Sequence, residues 1–558
     1  MSGAMSDSMT GPADREMSVD IAVIGGGVGG CAAALAAAEA GARVLLAEPS
    51  DWIGGQLTTQ LTPPDEHGWI ERFGCTASYR RFRDDVRAYY RGHTPLTGRA
   101  RANPRLNPGN GWVSPLCHEP RVALAVLREL LAPHIARGNL RLLLSHDLQH
   151  AVLGSDETIV SVVLLDRESG ATRQVHARYF LDATELGDLI ALSGAESVTG
   201  AESQAETGEP SAPTTARPSN VQAFSVCCVL DHQAGADHTI ARPAQYDVWR
   251  DFVPPLTPPW TGRLFSWEAP HPRTLEPTRY RFLPNGEAAR AFEGLWSYRR
   301  ILDRTQFTPG AFDSDLCVVN WVMLDYTGGD LATAAPVERQ RLEAEAREQT
   351  RSLVYWLQTE APRPDGGAGW PGLRLRGDVA GTPDGLAKAP YIRESRRLRA
   401  RFTVTEQHVS AAARSTADAR AALAEPFADS VGIGYYRIDL HPSTGGDNYI
   451  DVPALPFQIP LGALIPIRLD NLLPAAKNLG TTHITNGCYR LHPVEWNVGE
   501  AAGALAAYCL SARVRPRQVA EEPARLEDFQ RHLVARGVEL AWPHELNLDE
   551  GDPHVHAR

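Results

Sequence analysis

The sequence is short of paired cysteines, of positive charge and of long apolar runs. Its eight cysteines (Cys31, Cys75, Cys117, Cys227, Cys228, Cys317, Cys488 and Cys509) form no CxxC spacing. That excludes an iron–sulfur cluster, a zinc ribbon and a disulfide framework, and no metal site is expected. Cys227 and Cys228 adjoin inside an apolar run and read as core. Lys and Arg number 55 against 67 Asp and Glu, a formal net charge of -12. No basic surplus exists to meet phosphates, so nucleic acid is not an expected partner. Residues 1–17 lack the basic start and apolar core of a secretory signal and read as an unstructured N-terminus. The most apolar stretch, Ile21 to Ala40, is broken by glycines that fit a strand, turn and helix better than a membrane span. A cytoplasmic protein without membrane contact is expected. A chain of 558 residues is too long for one compact core, so more than one domain is expected.

What is present is concentrated in Asp20 to Glu48, DIAVIGGGVGGCAAALAAAEAGARVLLAE. A short apolar strand runs into Gly25, Gly27 and Gly30 in GxGxxG spacing. An alanine-rich helix follows, and a second strand ends at Glu48. Gly25 permits the tight turn, Gly27 leaves the backbone open to a pyrophosphate, and Gly30 lets the helix press on the sheet. Phosphates then meet the unpaired N–H groups at the helix start, Gly29 among them. Glu48 is placed to accept hydrogen bonds from a ribose. Dinucleotide binding is the expectation. No second GxGxxG occurs, which argues against a tightly held NAD(P)H domain and against disulfide-reductase chemistry.

After Glu48 comes DWIGGQLTTQLTPPDEH, where Gly54, Gly55 and Gln56 suggest a loop whose backbone closely approaches a ligand. With GGGVGG and WIGGQLT, the chain resembles the FAD-dependent oxidoreductases often labelled xanthan-lyase-like. These are kin to flavoproteins of the glutathione-reductase superfamily that carry a single Rossmann unit. The resemblance spans Asp20 to Cys509. It implies an α/β fold with a discontinuous Rossmann-type FAD-binding domain and an inserted α+β substrate domain, and FAD as cofactor. It also carries over Asp182, Ala183 and Thr184, in VHARYFLDATELG, as a turn against the FAD diphosphate and ribose. A final small-residue helix, read as Val494 to Leu510, is implied to point its N-terminus, with Asn497 and Val498, at the flavin. No independent sequence case supports a polysaccharide lyase.

The domains are expected at 18–215 and 430–515 for FAD, 216–429 for substrate, and 516–558 as a helical tail. Helical periodicity predicts helices over Ala335 to Gln358 and Ile392 to Ser410. On the second, Arg393 and Arg397 would share a face and grip a carboxylate. The arginine-rich Arg72 to Arg91 reads as a solvated helical face, Ala201 to Ser219 as a surface linker, and Val221 to Leu230 as a strand.

A flavin enzyme must place a substrate C–H against the cofactor and take a proton from O–H or N–H. Among 18 histidines, His492, directly before the final helix and close to Arg490, is the leading base, followed by His441 and then His67. Arg490 is placed to hold a substrate anion. Cys75, His67 or His492 are the candidates for a covalent flavin tether. The expected function is an oxidase or dehydrogenase taking a hydride from CH–OH or CH–NH of a small polar substrate, reoxidised by dioxygen or another acceptor. The alternatives are an FAD monooxygenase, a C=C reductase, or a non-catalytic flavoprotein.

Overall fold

The computed structural model describes residues 16–155, 157–286, 294–417, 423–543 and 545–551. Its central element is a five-stranded sheet with two covering helices. In chain order these are β1 (Ile21–Ile24), α1 (Val28–Glu39), β2 (Val44–Ala47), β3 (Leu140–Leu143), β4 (Tyr179–Asp182), β5 (Leu472–Pro474) and α2 (His492–Ala512). The strands lie in the order β5-β4-β1-β2-β3, and every pairing is parallel. This is an α/β fold with a Rossmann-type sheet.

The short apolar strands work because side chains alternate between faces. Ile21, Val23, Val44, Leu46, Leu181 and Leu473 pack with the α1 and α2 side chains. Ala22, Ile24, Leu45, Ala47, Phe180 and Leu472 pack on the opposite face against a second sheet. That sheet has the order Glu16–Ser18, Thr172–His176, Ile159–Asp166, His146–Leu153. Glu16 and Met17, expected in an unstructured N-terminus, thus form a strand, and Met17 is buried because it contributes to this second core.

The alanine and glycine content of α1 has a packing reason. A Cβ on Gly30 would lie 2.0 Å from the Gly25 oxygen, and one on Gly29 would lie 1.9 Å from the Ala475 oxygen. From the other side, a Cβ on Gly499 would meet the Gly29 oxygen at 2.0 Å, and one on Gly503 the Ala33 oxygen at 2.2 Å. The two helices therefore touch backbone to backbone.

A four-stranded antiparallel sheet lies in the middle of the chain, in the order Arg300–Leu302, Leu316–Val319, Cys228–His232, Leu373–Leu375. The strand expected from Val221 begins only at Cys228; before it the backbone makes isolated bridges to Ser443, Tyr326 and Tyr391. A helix covers Pro336–Thr359, close to the predicted span.

Two expectations are corrected. Ile392 to Ser410 is not a helix: Arg397–Leu398 pairs antiparallel with Ser197–Val198, and helix appears only at Glu406–Val409. Burial of charge overrides the periodicity there. Arg397 is fully buried against Glu394 and Glu202, and Glu394 also meets His483 Nδ1 at 2.9 Å. Arg393 and Arg397 consequently share no helical face. The helix Ala77–His93 forms, but its Arg83 and Arg87 are buried rather than solvated, held by Glu66 and Glu71. The 201–219 stretch runs mostly at the surface, as expected, and is pinned at Glu209, a buried carboxylate accepting from Glu406 N at 2.8 Å and Thr482 Oγ1 at 2.6 Å.

Beyond α2, helices Pro516–Glu521 and Pro523–Ala535 follow, and Trp542 returns to pack on Trp69 and Tyr435. Among the described residues no helix is long and apolar enough to cross a membrane.

The helix contact sets a prediction. Gly499→Val must push α2 off α1, a strain of about 1–3 kcal/mol or more. A clearly lowered thermal midpoint is expected, and a midpoint equal to the parent's contradicts the contact.

Candidate functional site

The glycine loop is enclosed by three chain segments. Gly25 has φ +100, and a Cβ there would lie 2.2 Å from the Ala183 oxygen, so only glycine fits against the Asp182–Thr184 turn. That turn is held by Asp182, whose carboxylate accepts from Thr184 N, Thr184 Oγ1 and Ile190 N at 2.9, 2.7 and 2.7 Å. Burial pushes the Asp182 carboxyl up to about 6 against those hydrogen bonds. Gly54 donates to the Gly26 oxygen at 2.7 Å from a left-handed conformation, φ +108. A Cβ on Gly55 would stand 2.9 Å from Gly27 Cα. The Gly-Gly loop is thus folded onto the GxGxxG turn.

Glu48 closes the same turn. It accepts from Gly26 N at 2.7 Å and Ser50 N at 3.0 Å. Burial raises its carboxyl to about 7, with the two backbone hydrogen bonds opposing.

Between the glycine loop and α2 lies a charged group that the sequence reading mostly passed over. Lys477 is fully buried, paired with Glu185 and lying 3.6 Å from Glu495. Glu495 Oε2 accepts from Gln56 Nε2 at 2.7 Å, and Gln56 Nε2 also reaches the Arg490 oxygen at 3.1 Å. The only sequence signal was a lysine in the small-residue turn PAAKNLG, directly after β5. Gln56 Oε1 and both amide atoms of Gln60 are buried without partners among the described residues. The glycine loop, the Glu48 carboxylate beside it and these unpartnered polar atoms fit a dinucleotide carrying a polar ring system.

Asn497 and Val498 are buried in the first turns of α2. The Asn497 amide accepts from Ile433 N at 3.2 Å and donates to the Val431 oxygen at 3.3 Å, binding α2 to the Ser430–Gly434 strand.

A cavity of about 600 Å³ opens beside this region, between the four-stranded sheet segment and the hairpin Ile438–Leu440/Ile450–Val452. Its walls include Asp65, Tyr298, Arg299, Trp321, Tyr391, Arg393, Tyr436, Asp439, His441, Tyr449 and Arg490. His441 Nδ1–H donates to Asp325 Oδ2 at 2.8 Å, and Asp325 Oδ1 meets Arg393 Nη2 at 2.9 Å. Burial alone would raise the Asp325 carboxyl; Arg393 and His441 override it and leave it below its ordinary value. The bond fixes the His441 tautomer, so Nε2 carries the free lone pair, 3.8 Å from Asp439 Oδ2. Arg490 donates to Asp439 Oδ2 at 3.0 Å and to the Tyr391 hydroxyl at 3.2 Å.

His492 has a different position from the one its sequence context suggests. It is the first residue of α2, fully buried, and absent from the cavity wall. Its Nδ1 accepts the Asp65 N–H at 3.0 Å, so the ring proton sits on Nε2. Burial holds its pKa down at about 3. The imidazole therefore anchors Asp65, a wall residue, and has no open lone pair for a substrate proton. His67 is likewise buried, with Nε2 at 3.1 Å from the Gly74 oxygen and Trp542 packed on its ring. Cys75 is buried as well, and burial pushes its thiol up to about 12. Sequence reasoning missed Asp325 and Arg299, because nothing local marks a single Asp after an apolar strand or one Arg among many.

The model of the family described as FAD dependent oxidoreductase matches residues 20–533. No curated protein matches the chain in sequence. Solved structures similar to it include the glycerol-3-phosphate dehydrogenase from Bacillus halodurans complexed with FAD, at 17% identity over 39% of this chain and 41% of that one, TM-score 0.23. They also include the flavin-dependent monooxygenase PieE in complex with FAD and substrate, at 15% identity over 39% and 35%, TM-score 0.23. L-proline dehydrogenase from P. horikoshii is similar at 15% identity over 33% and 24%, TM-score 0.17. The chain spans less than half the length of each of these proteins. With nearly its whole length matched by one family, the chain belongs to the FAD dependent oxidoreductases and is an enzyme that uses FAD.

Proposed function

We propose that this enzyme is an oxidase or dehydrogenase of a small polar substrate, acting at a CH–OH or CH–NH group, with His441 as the proton acceptor. The observation that carries this reading is the Arg393–Asp325–His441 chain, in which Arg393 and His441 line the cavity and Asp325 stands behind them. Bound FAD supplies the two-electron acceptor for the hydride. The chain's own residues do the rest. Asp325 orients the imidazole and stabilises its protonated form, Arg393 keeps Asp325 ionised, and His441 Nε2 takes the O–H or N–H proton. The paired charges and tyrosines of the wall orient a polar substrate while the surrounding segments keep bulk water out.

The cofactor is read as lying along Gly25, Gly27, Gly29 and Gly30, with its ribose on Glu48. The Gly54–Gly55–Gln56 loop, the Asp182–Ala183–Thr184 turn and the first turns of α2 around Asn497 and Val498 would complete its enclosure. The 216–429 segment would serve as the substrate domain, and the 18–215 and 430–515 segments as the FAD-binding domain. Dioxygen is the proposed final acceptor. Anaerobic photoreduction followed by air tests it: rapid return of the oxidised spectrum is expected, and slow return together with fast reduction by NADPH would favour a monooxygenase.

His441→Gln should slow flavin reduction by about 100-fold or more. Asp325→Asn should slow it in the same direction, because the amide no longer fixes the tautomer. Single-turnover rates equal to the parent's would remove His441 from the mechanism.

Glu48 gives a pH prediction. Its carboxylate accepts from ribose hydroxyls, and a pKa raised to about 7 means protons compete for it just below neutrality. FAD affinity of the apoprotein should therefore fall as pH drops from about 8 to about 6, by up to about tenfold per unit. Glu48→Gln should bind FAD more weakly at high pH and lose this dependence on the Glu48 proton. A parent affinity that is flat across the range contradicts the ribose contact.

A further inference from the structure

The proposed reaction gives no specific role to Arg299, a charged residue of the cavity wall. Arg299 lies between the short helix Leu295–Tyr298 and the strand Arg300–Leu302, its guanidinium 5.5 Å over the Tyr298 ring. Only 11% of its side chain is exposed. Among the described residues it makes no side-chain hydrogen bond, and its buried Nε and Nη1 have no partner. Asp65 stands 3.3 Å from Nη2, near enough for charge attraction. The neighbouring arginines differ. Arg393 is bonded to Asp325, the Ala223 oxygen and Ser225, and Arg490 to Asp439 and Tyr391.

Two physical points follow. A guanidinium taken out of water with N–H groups unpaired is costly, and its planar fork matches a carboxylate. The wall also carries an excess of one positive charge: Arg273, Arg299, Arg393 and Arg490 against Asp65, Asp439 and Asp451. Counting Asp325 behind Arg393 and Arg437 behind Asp451 leaves that difference unchanged. A single negative charge on the ligand would balance it. Asp65 is itself held in place by His492, so the Arg299 side of the cavity is anchored to the start of α2.

We propose that Arg299 is the specificity-determining residue of the cavity and that the substrate is a small monocarboxylate, a hydroxy acid or an amino acid, with its carboxylate on the Arg299 guanidinium. This rests on the redox reading above and adds the substrate class to it.

The test is a calorimetric titration of the FAD-loaded enzyme with acetate and benzoate, beside their neutral counterparts acetamide and benzamide. Carboxylates should bind at least about tenfold more tightly than the amides. Arg299→Gln should abolish that preference while retaining FAD at the parent's stoichiometry. Arg299→Lys, which keeps the charge without the fork, should retain part of it and decides the matter if the glutamine variant does not fold. Equal binding of amides and carboxylates, binding of neither, or an undiminished preference in both variants would overturn the proposal. Flavin reduction separates the two readings. Neutral alcohols or amines that reduce the flavin as fast as their carboxylated counterparts would sink the substrate class and leave the redox reading. Carboxylate binding that depends on Arg299, with no reduction by any hydroxy or amino acid, would leave a carboxylate site and sink the redox reading.

Discussion

The architecture depends on the absence of side chains where α1 meets α2. Gly29, Ala33, Gly499 and Gly503 let two helices from opposite ends of the chain approach until backbone meets backbone. Dispersion contacts over such a seam are individually small and collectively large, and one added methyl disturbs them. Because α1 begins at the glycine loop and α2 begins at His492, this closeness also brings that loop near the region that borders the cavity. Glu495, one turn into α2, comes within 3.5 Å of Gly29 N, and Gln56 bridges it to the Arg490 carbonyl.

Charge is handled in this molecule by enclosure in pairs. Arg83 with Glu66, Arg397 with Glu202 and Glu394, Lys477 with Glu185, and Arg393 with Asp325 are all largely removed from water. Such pairs contribute little net stability compared with apolar packing, but breaking one leaves an uncompensated buried charge. Their effect is to fix irregular segments in single conformations. The Ile392–Leu398 strip, which has helical periodicity, is held out of a helix by ion pairs to Glu202, Asp325 and His483, in three other parts of the chain.

The parts of the fold legible in the sequence are those decided locally. β1, the glycine turn, α1, β2 and Glu48 follow one another within thirty residues, and each has a stereochemical reason to be where it is. The helix Pro336–Thr359 was readable from its apolar spacing. What could not be read was set by tertiary approach. His441 and Asp325 are 116 residues apart, and no spacing rule joins them. His492 stood beside the right helix, but sequence carries no information on which way an imidazole turns, and its ring faces Asp65 N. The arginines of Ala77–His93 looked like a solvated face because their acidic partners, Glu66 and Glu71, precede the helix in a loop.

The strand order has a consequence for biosynthesis. β5 pairs with β4, yet the ribosome makes it almost three hundred residues later. At roughly 5–20 residues per second, the nascent chain presents an open sheet edge for on the order of tens of seconds. The alanine surface of α1 waits still longer for its cover. Production of this protein will accordingly be sensitive to translation speed and to the holding chaperones available during that interval.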